Sequence, residues 1–248
     1  MALLAAILLS AVAAVALVHR GILRWPGACT LIMVAALITG SVELVRAAID
    51  TRDGSTELDA AALNWTISHR AGWLTPTAEA FSTLGGPVTM LAVTLAACAW
   101  LARQRRWPAV LLTAVVAGGA GVLGSTMKSA IDRHRPPDID HLVTVADSSF
   151  PSGHTLGSTA VVGALAALTV LSTCDRVIKI AVSIEAALFI VAVGLSRVYL
   201  GVHWLTDVLA GWSIGILWLT TCLTCYLRFR HPAPTPSADS SDRQPTHR

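Results

Sequence analysis

The chain has 248 residues, of which 54% are hydrophobic and 13% are charged, and its mean hydropathy is +0.64. This composition excludes a water-soluble globular domain and is typical of a polytopic membrane protein whose length fits one compact helical domain. The formal net charge is only +3, so the charge balance predicts no nucleic-acid partner.

Apolar stretches separated by polar residues predict seven membrane helices. They are residues 1–18, 27–45, 87–102, 108–127, 155–173, 178–195 and 208–227. Since no stretch alternates as a β-strand does, the predicted fold class is all-α, a polytopic transmembrane helical bundle. Residues 1–18 could be a signal sequence, but no basic segment precedes them, so we favour a retained first helix.

The longest polar interval before the C-terminal tail is residues 50–76. Within it, Leu58, Ala62 and Trp65 suggest an amphipathic helix, and tryptophans such as Trp65 and Trp73 prefer the depth of lipid headgroups. We predict a helix lying in the membrane interface, while a plain loop anchored by the two tryptophans remains the alternative.

Four glycines are concentrated in the apolar stretch 108–127, namely Gly118, Gly119, Gly121 and Gly124. Small residues at such positions let neighbouring membrane helices approach closely. They do not form the pattern of a phosphate-binding loop. We therefore predict that these glycines serve helix packing.

Three polar segments interrupt the apolar sequence: KSAIDRHRP from Lys128 to Pro136, PSGH from Pro151 to His154, and SRVYLGVHWLTD from Ser196 to Asp207. Ionisable residues at the ends of membrane helices are costly to place and are more often functional than incidental. The three segments are therefore the candidate functional site.

In the first segment, Lys128 and Arg135 are seven residues apart, which predicts two cations on one face of a helix. Pro136 and Pro137 are expected to end that helix, because proline disfavours the α conformation in the preceding residue. Such a pair suits an anion. The alternative is two cations whose side chains simply reach to the membrane surface.

In the second segment, Ser152 is a suitable N-cap for the helix that follows, whose free N–H groups can bind an anion. Gly153 lets the backbone approach a ligand closely, and His154 can release a proton near neutral pH. The alternative is a capped helix with an incidental histidine.

In the third segment, His203 and Asp207 are four residues apart, which predicts neighbours on one helix face. A carboxylate that accepts from one imidazole nitrogen fixes the tautomer and leaves the other nitrogen as base or nucleophile. Arg197 supplies a planar fork that matches phosphate oxygens. A purely structural His-Asp hydrogen bond is the alternative.

Taken together, K-x6-RP, PSGH and SR-x5-H-x3-D resemble the signature of the type 2 phosphatidic acid phosphatase (PAP2) family, which shares its site with vanadium haloperoxidases. Every signature position is filled, and the helical surroundings resemble the family from about Glu57 to Tyr226. The resemblance implies a six-helix core, so residues 1–18 would form an extra N-terminal helix.

The resemblance also implies an activity and a role for each signature residue. The expected enzyme is a membrane lipid phosphatase that acts through a phosphohistidine and needs neither metal nor cofactor. His203 would be the nucleophile, Asp207 its orienting partner and His154 the general acid for the leaving group. The residues expected to hold the phosphate oxygens are Lys128, Arg135, Ser152, Gly153 and Arg197.

The resemblance and the composition together predict three parts of the chain. Residues 1–50 would hold N-terminal membrane helices, residues 51–230 the phosphatase membrane domain, and residues 231–248 a disordered tail. That tail is rich in Pro, Ser, Thr and Asp and has no apolar face to bury.

The distribution of lysine and arginine predicts the orientation in the membrane. Of the 18 such residues, eleven fall on the side of Arg103, and seven fall on the side of the three polar segments. The positive-inside rule therefore places these segments on the outer side, and for a bacterial source the membrane would be the plasma membrane.

Three functions are compatible with this sequence. A lipid phosphatase is favoured, with phosphatidate, phosphatidylglycerophosphate and polyprenyl diphosphate as possible substrates. A lipid phosphotransferase would use the same site. A transporter should carry ionisable residues or broken helices near the middle of the membrane, whereas here the charges lie at helix ends.

Overall fold

A computed structural model describes residues 25–51 and 55–230 of the chain. Within these residues the regular structure is helical, which confirms the all-α prediction. The eight α-helices are α1 (Trp25–Asp50), α2 (Glu57–Ser68), α3 (Leu74–Leu84), α4 (Pro87–Arg103), α5 (Trp107–Ile131), α6 (Gly153–Ser172), α7 (Arg176–Tyr199) and α8 (Leu205–Arg230). A short 3-10 helix, Asp138–Asp140, lies in the loop between α5 and α6.

Five of these helices, α1, α5, α6, α7 and α8, are long and apolar enough to cross a membrane. Helices α3 and α4 together make a sixth candidate span, bent by 47° at the short break between them. Six predicted spans therefore correspond to helices of the structure. The seventh, residues 1–18, and the tail, residues 231–248, lie outside the described residues.

Local sequence signals explain where several helices begin. Pro87 and Pro108 lie in the first turns of α4 and α5, where a missing N–H costs nothing. Asp175 caps α7 by accepting from the backbone N–H of Val177 at 2.7 Å and of Ile178 at 3.3 Å. The connections before α5 and α7 are only a few residues long, so α5 runs antiparallel to α4 and α7 to α6.

Within the polar interval 50–76, residues 57–68 form α2, so the helical prediction there is correct, and α3 begins at Leu74. Trp65 and Trp73 are 65% and 75% exposed, and their interfacial position stays a prediction. Thr56 and Asp59 form a reciprocal capping box at the start of α2. Asp59, however, is only 1% exposed and points into the bundle, which the sequence alone did not indicate.

Helix α6 packs between α5, α7 and α8, and the largest apolar core lies where α5, α6 and α8 meet. A Cβ atom on Gly119 would lie 2.1 Å from Cζ2 of Trp218, whose Nε1 donates to the Val116 carbonyl at 3.0 Å. Gly119 therefore allows α5 and α8 to touch, as predicted.

The other glycines of α5 divide between packing and open space. A Cβ on Gly124 would lie 3.3 Å from Leu156, so Gly124 also packs closely. At Gly118 and Gly121, a Cβ would meet no other atom within 4 Å, because both glycines face a cavity. The packing prediction is wrong for these two.

Candidate active site

The first polar segment reaches the site from the end of α5 rather than from one helix face. Asp132, in the left-handed conformation with φ 48°, ends α5 after Ile131, and its N–H donates to the Lys128 carbonyl. Arg135 therefore lies beyond the helix, so the predicted shared face and the predicted termination by the two prolines are both wrong. A local backbone reversal, not proline, ends this helix.

Lys128 and Arg135 nevertheless converge, because the loop that follows folds back over them. Asp147 lies 3.0 Å from the Lys128 ammonium and 2.5 Å from the Arg135 guanidinium. Arg135 Nε also donates to the Asp147 carbonyl at 2.7 Å. The two cations are thus held at a fixed separation by groups of the protein itself.

Asp147 remains ionised under all ordinary conditions. Burial raises the pKa of its carboxyl, but the hydrogen bonds and positive charges of Lys128 and Arg135 outweigh burial and lower the pKa to about 2. The carboxylate therefore compensates part of the positive charge of the site, and sequence reasoning had missed it.

The second segment places its residues as predicted, but not through the predicted bond. Ser152 occupies the N-cap position of α6 in an extended conformation, yet its hydroxyl makes no capping bond and instead accepts from Thr155 at 3.0 Å. A Cβ on Gly153 would lie 3.9 Å from Cε of Lys128. The start of α6 is therefore close to the first segment.

The third segment is not the single helix face that the i, i+4 spacing predicted. His203 lies in the turn before α8, which begins at Leu205, while Asp207 lies in the first turn of that helix. Gly201, with φ +73°, makes this turn possible. The pair still meets, because Asp207 Oδ2 lies 3.5 Å from His203 Nδ1 and accepts from the Trp204 N–H at 2.9 Å.

The two nitrogens of His203 face different surroundings. Nδ1 faces Asp207, and Nε2 lies 3.3 Å from a guanidinium nitrogen of Arg135 at the cavity. Burial, and after it the positive charges of Arg135 and Arg197, lower the pKa of His203 well below its ordinary value. The imidazole is therefore neutral, and Nε2 is its nitrogen on the cavity side.

Arg197 comes from the last turn of α7 and is almost completely buried. Its guanidinium donates to the hydroxyl of Ser82, on α3. The bent pair of α3 and α4 is thereby tied to the polar end of the bundle. Sequence spacing gave no indication of Ser82, because the two residues are 115 positions apart.

A cavity of about 570 Å³ joins the three segments to the interior of the bundle. Its polar end is lined by Lys128, Arg135, Gly153, His154, Arg197 and His203. Its remaining walls come mainly from apolar and small residues of α4 and α5, including Met90, Leu91, Leu95, Ala117, Gly118 and Gly121. Ser152 and Asp207 lie behind the polar end, where both are fully buried.

This arrangement suits a tetrahedral oxyanion attached to an apolar group. Three cations surround the space beside His203 Nε2, and charge-assisted hydrogen bonds from such groups are the strong ones. In the described part of the chain, no three His, Cys, Asp or Glu side chains are grouped as metal ligands. The chemistry that these residues support directly is nucleophilic attack by an imidazole on a bound oxyanion ester.

Comparison with known proteins gives matches in sequence and in structure. The family model of the PAP2 superfamily matches residues 107–231. Phosphatidylglycerophosphatase B of Bacillus subtilis is 35% identical over 153 residues, which cover 60% of this chain and 73% of that enzyme. An undecaprenyl-diphosphatase of Sulfolobus acidocaldarius is 45% identical over 69 residues, which cover 28% of this chain and 29% of that enzyme.

A crystal structure of a transmembrane PAP2 type phosphatidylglycerolphosphate phosphatase from Bacillus subtilis has the same fold. The TM-score is 0.72 at 29% sequence identity, and the match covers 81% of this chain and 98% of that one. The helical bundle is therefore shared with a solved membrane phosphatase.

If the polar end binds an oxyanion, Arg197→Gln should weaken the binding of inorganic orthovanadate about tenfold to a hundredfold, because one charge-assisted hydrogen-bonding group is lost. The dissociation constant would be measured by calorimetry in detergent. Arg103→Gln, an exposed arginine at the opposite end of α4, is the matched control and should bind as the wild type does. Equal affinity in all three proteins would contradict the assignment.

Proposed function

The chain belongs to the PAP2 superfamily of membrane phosphatases, and on that basis we propose that it hydrolyses the terminal phosphate of a membrane lipid through a phosphohistidine at His203. The observation that carries the proposal is the environment of His203. Its Nε2 faces the cavity beside Arg135, and its Nδ1 faces Asp207. A neutral imidazole held in this way is a suitable nucleophile for phosphorus.

The proposed reaction has two steps. His203 Nε2 attacks phosphorus while the bond to the leaving oxygen breaks, and His154 gives that oxygen a proton. His154 then takes a proton from water, whose oxygen attacks the phosphohistidine and releases inorganic phosphate. General acid–base assistance of this kind contributes about 10²–10⁴-fold to the rate.

The three cations supply the electrostatic part of the proposed catalysis. Phosphoryl transfer depends mainly on positioning and on neutralising the equatorial oxygens of the phosphoryl group. Lys128, Arg135 and Arg197 all line the polar end of the cavity. Together with backbone N–H groups at the start of α6, they would take the place of a metal ion.

The apolar part of the cavity supports a lipid as the substrate. It continues from the cations along α4 and α5, where Gly118 and Gly121 leave room that any other side chain would occupy. A phosphate at the polar end and a hydrocarbon chain along these helices would fill both parts. If the site faces outward, a polyprenyl diphosphate left by envelope synthesis is the substrate we favour, and one relative is an undecaprenyl-diphosphatase.

The proposed orientation puts the active site on the outer face of the membrane, with residue 248 inside. The excess of lysine and arginine at the opposite end of the bundle supports it. A membrane-impermeant maleimide should therefore label Asp140→Cys in intact cells when the native cysteines have been replaced. Arg105→Cys, in the turn between α4 and α5, should be labelled only after lysis, and the reverse pattern would overturn the orientation.

The roles of the two histidines predict different labelling with phosphate-labelled substrate. His203→Ala should take up no label, since the nucleophile is missing. His154→Ala should become labelled from p-nitrophenyl phosphate, whose leaving group needs no proton, and should release phosphate about 10²–10⁴-fold more slowly than the wild type. The labelling of Asp207→Asn should lie between that of these two variants.

The labelling is measured by quenching in base, because phosphohistidine is stable to base and labile to acid. All reactions contain excess chelator, since the proposed mechanism uses no metal. Label on the His203 variant would reverse the two assignments. Loss of wild-type labelling in chelator, restored by Mg²⁺, would refute the metal-free route.

The proposed path of the lipid chain predicts a selective effect of Gly121→Leu. The added side chain would enter the apolar part of the cavity, so kcat/KM for farnesyl diphosphate should fall about tenfold or more while p-nitrophenyl phosphate is hydrolysed normally. Gly40→Leu is the matched control, because Gly40 in α1 is also open but does not line the cavity. If kcat/KM fell equally for both substrates, the hydrocarbon chain of the lipid would have to lie elsewhere.

A further inference from the structure

Arg133 lies between two buried carboxylates behind the catalytic histidine. One terminal nitrogen is 2.7 Å from Asp207 Oδ1, and the other is 2.8 Å from Asp59 Oδ2. All three side chains are completely buried. We call Arg133, Asp59 and Asp207 the buried charge set. The roles given above to the signature residues use only Asp207 from this set.

Neutral partners fix the guanidinium in this position. The nitrogen that meets Asp207 also donates to Thr206 Oγ1 at 2.8 Å, and the one that meets Asp59 donates to Thr51 Oγ1 at 3.0 Å. The Trp204 ring lies against the guanidinium, 5.8 Å from ring centre to Cζ. A planar fork held at four oxygens has no freedom to reorient.

Asp59 and Arg133 also position the turn that carries the catalytic pair. Asp59 Oδ1 accepts from the Thr206 backbone N–H at 2.9 Å, which ties α2 to the first turn of α8. The Arg133 carbonyl accepts from the Ser149 N–H at 2.8 Å, and the Ser149 hydroxyl donates to Asp207 Oδ2. Arg133 therefore acts on both oxygens of Asp207, directly on one and through Ser149 on the other.

The set contains more negative than positive charge. One guanidinium faces two carboxylates, which leaves one formal negative charge without a partner. A buried charge is costly unless an opposite charge compensates it. Lys128, Arg135 and Arg197 line the cavity, where Asp147 engages Lys128 and Arg135 and a substrate phosphate would engage all three. Among the described residues other than Arg133, the His203 imidazole is the group in contact with Asp207 that can become cationic, with Nδ1 3.5 Å from Oδ2.

We propose that Arg133 and Asp59 are positioning residues of the phosphatase site: they hold the Asp207 carboxylate against His203, and the net negative charge of the buried charge set stabilises the cationic imidazole formed by attack on phosphorus. This inference rests on the phosphohistidine route proposed above. When Nε2 gives its lone pair to phosphorus, the bonding electrons of the leaving group depart with its oxygen, which His154 protonates. The ring keeps its Nδ1 proton and carries the positive charge.

Two substitutions should shift the acid limb of the pH profile of kcat/KM in opposite directions. Asp59→Asn removes negative charge, so His203 should resist protonation further and the limb should move to lower pH. Arg133→Met removes positive charge, so the limb should move to higher pH. Each shift should be about one pH unit or more, the size expected for a unit charge within roughly 10 Å at an effective dielectric constant near 20.

Other charged groups around His203 remain the same in both variants, so their effects cancel in the comparison. They are Arg135, Arg197, Lys128, His154 and Asp207. Using one substrate throughout also removes the contribution of its own ionisation. A merely structural role would lower the activity of both variants but would not separate their acid limbs.

The two positioning residues should affect kcat more than KM, because neither side chain lines the cavity. We expect Asp59→Asn to lower kcat roughly 10- to 100-fold, the size reported for losing a group that orients a metal-bound histidine from outside the metal's ligand shell. Arg133→Lys keeps the charge and should leave the limb in place, which tests the charge argument even if Arg133→Met does not fold.

Thr56→Ala is the control for loosening of α2. It removes the hydroxyl that accepts from the Asp59 N–H at 3.1 Å and donates to Asp59 Oδ2 at 2.9 Å, but it changes no formal charge, so the limb should stay at the wild-type pH. Limbs that coincide in Asp59→Asn and Arg133→Met, or that move in the same direction, would overturn this inference. Absence of phosphohistidine from the wild type would instead refute the proposed function, so the two failures are distinguishable.

Discussion

Pairing of buried charges is the constraint on which the polar end of this bundle depends. Arg133 and Asp59 have no exposed side-chain surface, so neither would be stable there without the other. Their pairing joins α2 to the loop after α5, and Asp207 joins both to the start of α8. His203, which lies 3.5 Å from Asp207, is positioned through this network.

Helix ends and loops, rather than helix faces, bring the polar segments together. Helices α5 and α7 end at the site, while α6 and α8 begin there. Because neighbouring helices are antiparallel, the C-terminal ends of α5 and α7 lie on the same side of the membrane domain as the N-terminal ends of α6 and α8. The long loop between α5 and α6 then adds Asp147 and Ser149, which hold the cations and Asp207 respectively.

The cavity combines two environments that are normally kept apart. Its polar end holds Lys128, Arg135 and Arg197 around His203, and its walls along α4 and α5 are apolar. An amphiphilic lipid phosphate has the same division into a charged end and a hydrocarbon chain. The spacing of the glycines on α5 fits this division, since Gly119 packs against Trp218 while Gly118 and Gly121 open toward the cavity.

The sequence by itself determined the helical class, six of the membrane spans and the three segments that meet, because apolar length and the spacing of ionisable residues are local properties. Only the tertiary structure decided how the segments meet. Lys128 with Arg135, and His203 with Asp207, come together across a helix end rather than along a face. Arg133 contacts Asp59 and Asp207, each 74 residues away in the sequence, and no local pattern in a single sequence predicts such a contact.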